Sequence, residues 1–231
     1  MMPDADSPPP ETADGLLSGV TEIPPVTLAN VAVALFALPL FSFLSQSFVE
    51  IGPIGELAVQ WTVAAAVLGV AVAVEGQSLP DVGFRRPAWI DLGYLLAAAA
   101  AALLAFAATD PAIEALGLRV ADDAGTMTAG ASLGVALAGA VTAGVVEEVL
   151  FRGYAIERLL AYTGRPLVAG GIAWGAFTAA HAVVWPVGNL VQIAAVAAVF
   201  TAVYVRRRTL APVVVAHVLV WGMSALGQAY G

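Results

Sequence analysis

Seven stretches of apolar residues, separated by short polar connections, follow one another from Leu28 towards the C-terminal end of the chain. Most of them approach the ~20 apolar residues that an α-helix needs to cross a bilayer. The pattern therefore predicts an all-α fold, a polytopic transmembrane helical bundle with about seven spans. The predicted spans are Leu28–Val49, Leu57–Val74, Leu92–Thr109, Ala129–Leu150, Leu167–Trp185, Leu190–Val205 and Leu210–Leu226. An eighth span stays open in the connection Asp110–Thr128, although the five charged residues there argue against it.

Composition supports a membrane protein and excludes several functions. Of the 231 residues, 60% are hydrophobic and 11% are charged, whereas soluble domains carry about 25% charged residues. The chain has no cysteine, so it can form neither disulfides nor a thiol nucleophile. Nine basic residues against 17 acidic ones leave no basic face for a nucleic acid. Composition therefore predicts the lipid bilayer as a partner and no nucleic acid.

The N-terminal 25 residues differ from the rest of the chain. They contain five acidic residues, several prolines and no basic residue, which predicts a disordered acidic cytoplasmic tail and not a signal peptide. Residues 26–128 then form a predicted N-terminal part with three helices and an external loop. Residues 129–231 form a predicted C-terminal part with helices four to seven.

Arginine placement predicts the orientation. With the N-terminus inside, the inner connections contain eight of the nine arginines, and the outer ones contain only Arg119. Basic residues favour the cytoplasmic side of a membrane. The sequence thus predicts a multi-pass protein of the cell membrane with a cytoplasmic N-terminus and an external C-terminus.

Two adjacent acids, Glu147 and Glu148, follow a run from Ala124 to Val146 without any charged residue. A charge at membrane depth is costly and marks a functional site by default. Glu148 and Arg152 are four residues apart, so they share a helix face and are predicted to form an ion pair. Glu147 points elsewhere, along a side with small residues, and is predicted to be the free carboxylate. The alternative is that both acids only bind arginines and pin the helices together.

The chain has two histidines, His181 and His217, and both fall within apolar spans. Glu147 lies 17 residues before Gly164 and His181 lies 17 residues after it. If the chain reverses at Gly164, equal offsets in two antiparallel helices place the two side chains at equal height. Glu147 and His181 are therefore predicted to share one site, with His217 at a compatible depth. Access is predicted from the cytoplasmic half.

Three motifs in this order carry a family resemblance. Glu147 to Arg152 has the form E-E-x-x-x-R, Phe177 to His181 has the form F-x-x-x-H, and His217 supplies the third motif. In this combination the chain resembles the CPBP intramembrane proteases, which include the CAAX prenyl endopeptidases and bacteriocin-processing homologues. The resemblance covers about residues 129–231.

The resemblance implies hydrolysis of peptide bonds within the membrane. The partner would be a peptide or membrane-protein substrate, and residues 129–231, with helices four to seven, would be the catalytic core. On this chain, Glu147 and His181 would activate a water molecule, and Glu148 and Arg152 would brace the site. His217 would stabilise the oxyanion or bind a metal. Glu147, His181 and His217 could together hold Zn²⁺, which takes three protein ligands in catalytic sites. A metal-free mechanism is equally open.

The third motif departs from the usual H-x-x-x-N, because Trp221 stands four residues after His217. A Trp side chain donates one hydrogen bond and accepts none. Asn189 or Gln192 on the sixth span is predicted to compensate if the chain is catalytic.

Two further interpretations compete with this one. Ser132 lies in a G-x-S-x-G pattern, but a serine nucleophile there needs a strand–turn–helix elbow, which a small-residue helix does not provide. A non-catalytic membrane scaffold or transporter-like protein could use the same polar cluster structurally, and Trp221 is the feature that favours it.

Overall fold

The computed structural model describes residues 23–48, 51–121 and 132–230. These residues form seven helices and no strand, which confirms the predicted all-α bundle. We label them α1 (Pro25–Phe48), α2 (Pro53–Ala73), α3 (Trp89–Ala115), α4 (Leu133–Thr163), α5 (Pro166–His181), α6 (Val187–Arg207) and α7 (Ala211–Tyr230). A short 3-10 helix, Leu79–Val82, lies between α2 and α3. The predicted acidic tail falls almost wholly outside the described residues.

Five of these helices are long and apolar enough to cross a membrane, namely α1, α2, α3, α4 and α6. In α7 the apolar stretch is shorter, Ala211–Gly227, and α5 has only 16 residues. Many large apolar side chains on the long helices are exposed, among them Phe36 and Leu104. In a bilayer such side chains face lipid, so the chain is a multi-pass membrane protein.

The third helix is longer than the sequence predicted. It continues past Thr109 to Ala115, because Asp110 accepts a 2.9 Å hydrogen bond from Gln192 on α6 and so finds a polar partner within the helix. Residues 116–121 then leave the helix, so the described part of the Asp110–Thr128 connection contains no eighth span.

The reversal between α4 and α5 was predicted correctly. Gly164 adopts a left-handed conformation with φ of 63°, and its N–H donates to the Leu160 carbonyl at 2.9 Å. A glycine reaches this conformation without steric cost. Pro166 then begins α5, where a missing N–H does no harm.

The middle of α4 holds a feature that the sequence did not predict. Residues Glu148–Ile156 form a π-helix between two α-helical parts, Leu133–Glu147 and Glu157–Thr163. All nine π-helical residues are buried. Such segments are rare and occur frequently at functional sites. The E-E-x-x-x-R motif therefore lies on an irregular backbone and not on a uniform α-helix.

Ion pairs gather the arginine-bearing connections at one end of the bundle. Arg85, before α3, and Arg208, after α6, both bind Glu157 on α4. The Leu210 N–H donates to the Gly83 carbonyl at 3.0 Å. We call this the arginine-rich end; it holds Arg85, Arg86, Arg158, Arg165, Arg206, Arg207 and Arg208. At the opposite end the Gly188 N–H donates to the Arg119 carbonyl at 2.9 Å.

Candidate active site

An ion pair that is shielded from solvent forms the base of the site. The Arg152 Nη1 donates to Glu148 Oε1 at 3.0 Å, and neither side chain has any exposed surface. The Arg152 Nη2 also donates to the Ala197 carbonyl on α6 at 3.4 Å. The guanidinium carbon lies 4.2 Å from the centre of the Phe177 ring. Arg152 thus ties α4, α5 and α6 together, and Glu148 is neutralised, as the spacing predicted.

His217 connects the two adjacent glutamates. Its Nδ1 lies 2.8 Å from Glu148 Oε1, and its Nε2 lies 4.0 Å from Glu147 Oε2. Because an ionised carboxylate can only accept hydrogen bonds, the Nδ1 of His217 carries the proton and donates the hydrogen bond to Glu148. The Nε2 atom is therefore left to face Glu147. The two acids of the motif occupy opposite sides of one imidazole.

His181 is oriented in the same way by a different partner. Its Nδ1–H donates to the Phe177 carbonyl at 2.7 Å, one helical turn earlier. In a neutral imidazole the Nε2 atom is then the acceptor. In each histidine, Nδ1 therefore makes a hydrogen bond to an oxygen atom, whereas Nε2 makes no hydrogen bond to a described residue. The F-x-x-x-H spacing matters here because it supplies both the carbonyl for His181 and the ring over Arg152.

A cavity of about 280 Å³ joins the motif residues. Both Glu147 and His181 line it, and they are near enough for their charges to interact. Glu147 keeps 15% of its side chain exposed, whereas Glu148 keeps none. A water molecule occupies about 30 Å³ in the liquid, so the cavity has room for several. The structure places the predicted free carboxylate and the predicted imidazole in one cavity.

The cavity does not lie where we predicted access. Besides the motif residues, its walls come from the C-terminal half of α1, the first turns of α2 and α4, and the second half of α7. All of these segments are at the end opposite the arginine-rich end. The prediction of access from the arginine-rich half is therefore wrong. Glu147 lies near the middle of α4 (Leu133–Thr163), so its position on this helix alone does not decide the side of access.

A close approach between α4 and α7 fixes His217. A Cβ added to Gly144 would lie 2.5 Å from Val218 Cγ2 and 2.9 Å from the Val218 nitrogen. Only a glycine allows the two backbones to come this near. Val218 is the neighbour of His217 in sequence, so this contact sets the depth of the imidazole beside the two glutamates. The small residues around Glu147 were predicted to permit such an approach.

Trp221 separates the cavity from a second one. It lines both spaces and makes ring contacts with His217, Trp185 and Phe106 at centroid distances of 5.9, 6.2 and 6.1 Å. The position that carries Asn in the usual third motif is here an apolar wall.

The predicted substitutes for that Asn lie elsewhere. Asn189 accepts from the Ala121 N–H and donates to Gln192, which in turn donates to Asp110. Both side chains line the second cavity and are already paired. They do not reach the cavity of Glu147, so this compensation is not found.

The two histidine Nε2 atoms are of a type that binds metal ions, but the side chains are not arranged around a common point. Two Nε2 atoms with oxygen-bound Nδ1–H groups are typical of histidine metal ligands. However, among the described residues no group of three His, Asp or Glu side chains is placed to hold an ion. As the side chains stand they do not fit zinc, and no step of the chemistry is derived through it below.

Two polar residues of α2 were missed by the sequence analysis. Glu56 and Gln60 line the cavity from the side opposite α5. They are four residues apart, so they share one face of α2. That pair was the available signal, since the rest of the helix is nearly apolar.

Comparison with known proteins agrees with this site. No curated protein and no solved structure shows significant similarity to the chain. A family model described as "Type II CAAX prenyl endopeptidase Rce1-like" matches residues 129–223, which include all three motifs. The resemblance predicted from the motifs is therefore confirmed: residues 129–223 are similar to the Rce1-like family, and this similarity indicates a membrane protease of the CAAX endopeptidase type.

Proposed function

We propose that the chain is an intramembrane endopeptidase in which Glu147 is the general base. The observation that carries this proposal is the cavity that Glu147 and His181 share above the sealed pair of Glu148 and Arg152. A carboxylate must reach the proton that it removes directly or through one water. Glu147 is the only carboxylate of the motif with exposed surface in that space.

Hydrolysis then follows from the positions of the side chains. The Nε2 of His181 accepts a hydrogen bond from the attacking water and orients it, while Glu147 takes its proton. The water oxygen bonds to the peptide carbonyl carbon, and the carbonyl becomes an oxyanion. When both nitrogens of His217 carry protons, its Nε2–H donates to that oxyanion. Glu147 passes the proton to the amide nitrogen as the C–N bond breaks, which releases an amine and a carboxylic acid.

Glu148 and Arg152 act on this reaction through His217. Glu148 holds the Nδ1 of the imidazole, and Arg152 keeps Glu148 in place. Both are positioning residues, because neither has a surface that a substrate could contact.

Orientation in the membrane follows from the two ends of the bundle. We place the arginine-rich end in the cytoplasm, since basic residues favour that side. The cavity extends from Glu147 towards the opposite end. Substrates of this enzyme would then enter from the external half of the bilayer, as peptides or as segments of membrane proteins.

The test is a comparison of cleavage sites in membranes. Cells that make the wild-type chain or Glu147→Gln are analysed by mapping new protein N-termini with mass spectrometry. We expect cleavage sites that appear with the wild type and vanish with Glu147→Gln, because loss of a general base lowers rates by roughly 10²–10⁴-fold. Glu56→Gln is the matched control, since it removes another carboxylate that lines the same cavity and should leave cleavage intact.

Two outcomes would change the proposal. If the wild type and Glu147→Gln give the same N-termini, the chain is not a hydrolase and the scaffold interpretation gains support. If a chelator abolishes cleavage by the purified protein and zinc restores it, the reaction depends on a metal. We expect the chelator to leave the rate unchanged.

A further inference from the structure

One amide oxygen in the cavity is buried without a hydrogen-bond partner among the described residues. Gln60 on α2 is 6% exposed and lines the same cavity as Glu147. Its Oε1 is buried without a hydrogen bond to any described residue. A buried polar atom without a partner lowers the stability of the fold. Such an atom calls for an explanation, and a ligand that completes its hydrogen bonds is one.

The contrast with Gln192 shows that the chain can satisfy a glutamine of this kind. Gln192 lines the second cavity and is also partly buried. Its amide accepts from Asn189 at 3.2 Å and donates to Asp110 at 2.9 Å. The unpaired Oε1 is therefore specific to Gln60, and it lies beside the cavity that contains Glu147.

The neighbouring residue fixes the height of Gln60. The Trp61 Nε1–H donates to Thr142 Oγ1 on α4 at 3.0 Å. Helices α2 and α4 run in the same direction, since both begin at the end opposite the arginine-rich end. Thr142 precedes Glu147 by five residues, which is ~7.5 Å along the axis of an α-helix. Gln60 is thus offset from Glu147 by about that much along the bundle axis, on the side where the cavity extends.

An extended peptide matches this separation. It advances about 3.3 Å per residue, so a chain with its scissile bond at Glu147 passes Gln60 about two residues away. A carboxamide both donates and accepts hydrogen bonds and is complementary to one peptide unit. A helical segment offers no such unit, because inside a membrane its N–H and C=O groups are bonded to each other.

We propose that Gln60 binds the backbone of the substrate about two residues from the scissile bond and thereby selects segments that are extended. This inference rests on the proposed protease activity. The substrate class that it names is a stretch of chain without internal helical hydrogen bonds. The Gln60 amide would compensate in part for the wall that Trp221 forms, since it brings hydrogen-bonding capacity to a cavity that lacks the usual Asn.

The test uses the peptide cleaved most strongly in the membrane mapping, made as a fluorescence-quenched synthetic substrate. For Gln60→Leu we expect KM to rise about 3- to 10-fold, the loss of an ordinary hydrogen bond, with kcat nearly unchanged. The melting temperature should stay the same or rise, because an unpaired buried amide has been replaced by an apolar group of similar shape.

Backbone methylation of the substrate locates the contact. Peptides with a single N-methyl group at successive positions are compared on the wild type and on Gln60→Leu. One position about two residues from the cleaved bond should weaken binding to the wild type and have no further effect on the variant. A helix-stabilised form of the same peptide should be cleaved more slowly by both enzymes.

Gln192→Leu is the control. It removes a paired glutamine, so it should lower the melting temperature and leave KM unchanged. An unchanged KM for Gln60→Leu, or a joint fall of kcat and melting temperature, would overturn the role of Gln60 while the protease activity stands. If the wild type cleaves no peptide, the proposed function itself fails, and this inference fails with it.

Discussion

The buried carboxylate of Glu148 is bound by Arg152 on one side and by His217 on the other. Glu148 has its Oε1 shared between Arg152 and His217, and neither Glu148 nor Arg152 has exposed surface. Removal of one member of such a pair leaves an isolated charge in an apolar interior, which costs much more than the intact pair contributes.

We therefore expect Arg152→Met to lower the free energy of unfolding by about 3–5 kcal/mol. Denaturant titration of the purified protein in mild detergent measures this change. Arg86→Met is the control, because Arg86 is an exposed arginine at the arginine-rich end, and exposed positions of this kind change stability by about 0.5 kcal/mol or less. If both substitutions change the free energy of unfolding equally, the buried ion pair does not stabilise the fold more than an exposed arginine does.

At the scale of single residues, the sequence predicted contacts within one helix better than contacts between helices. Spacing within one helix was sufficient to pair Glu148 with Arg152, and the structure shows that pair. It did not reveal that His217 stands between Glu147 and Glu148, since His217 belongs to a helix 69 residues further along. Gln60 was missed although its spacing from Glu56 was visible, because that spacing does not show that the two side chains face the same cavity as Glu147.

Packing between helices positions His217, whereas a hydrogen bond within its own helix orients His181. The contact of Gly144 with Val218 brings α7 against α4, and the neighbouring His217 reaches Glu148 as a result. The hydrogen bond of His181 to Phe177 is local to α5, so His181 depends less on such a contact.

Gly144→Ala should separate these effects. The added methyl group would meet Val218 at 2.5 Å, so α7 must move and carry His217 away from Glu148. We expect a loss of stability of about 1–3 kcal/mol, typical of overpacking, together with at least a tenfold fall in kcat. The cleavage assay and a denaturant titration measure the two.

Gly134→Ala on the same helix is the matched control. Nothing lies within 4 Å of its Cβ position, so alanine there should be neutral or stabilising by up to about 1 kcal/mol. If Gly144→Ala behaves like Gly134→Ala, the approach of α7 to α4 does not position His217.

The elements themselves were largely predictable. Apolar segments gave the helices, and Gly164 with Pro166 gave the reversal between α4 and α5. The π-helix Glu148–Ile156 was not predictable, because it depends on partners distant in sequence. Gly153 is an example: a Cβ there would lie 2.7 Å from the Val82 carbonyl of the 3-10 helix.

The bundle as a whole has two unlike ends. At one end, Arg85 and Arg208 bind Glu157 and so hold two connections against α4. The other end contains the open part of the cavity, with serines and glutamines of α1 and α2 in its walls. Arginine counts were sufficient to distinguish the ends. They could not show which end contains the cavity, since that depends on how the C-terminal half of α1, the first turns of α2 and α4 and the second half of α7 are spaced.

Thiol labelling can test both the orientation and the access. Because the wild-type chain has no cysteine, Ala136→Cys and Ala161→Cys each carry a single thiol, at opposite ends of α4. Ala136 lines the cavity, and Ala161 is exposed near the arginine-rich end. We expect a membrane-impermeant thiol reagent added to intact cells to label Ala136→Cys and not Ala161→Cys.

Permeabilised cells provide the control, since both variants should then be labelled. Labelling of Ala161→Cys alone in intact cells would reverse the orientation, and the cavity would open to the cytoplasm. Labelling of neither variant would show that the cavity is closed to water from outside.

The π-helix in α4 also limits how this chain can change in length. A π-helical turn contains about one residue more than an α-helical turn, and the residues of Glu148–Ile156 are aligned in this wider spacing. Deleting one residue from the segment would let a wide turn return to α-helical geometry and would change which residues of the motif face one another. A deletion between Glu148 and Arg152 would also alter the four-residue spacing of the buried ion pair, whereas substitutions in this stretch leave that spacing intact. Relatives of this chain should therefore vary here in composition and not in length.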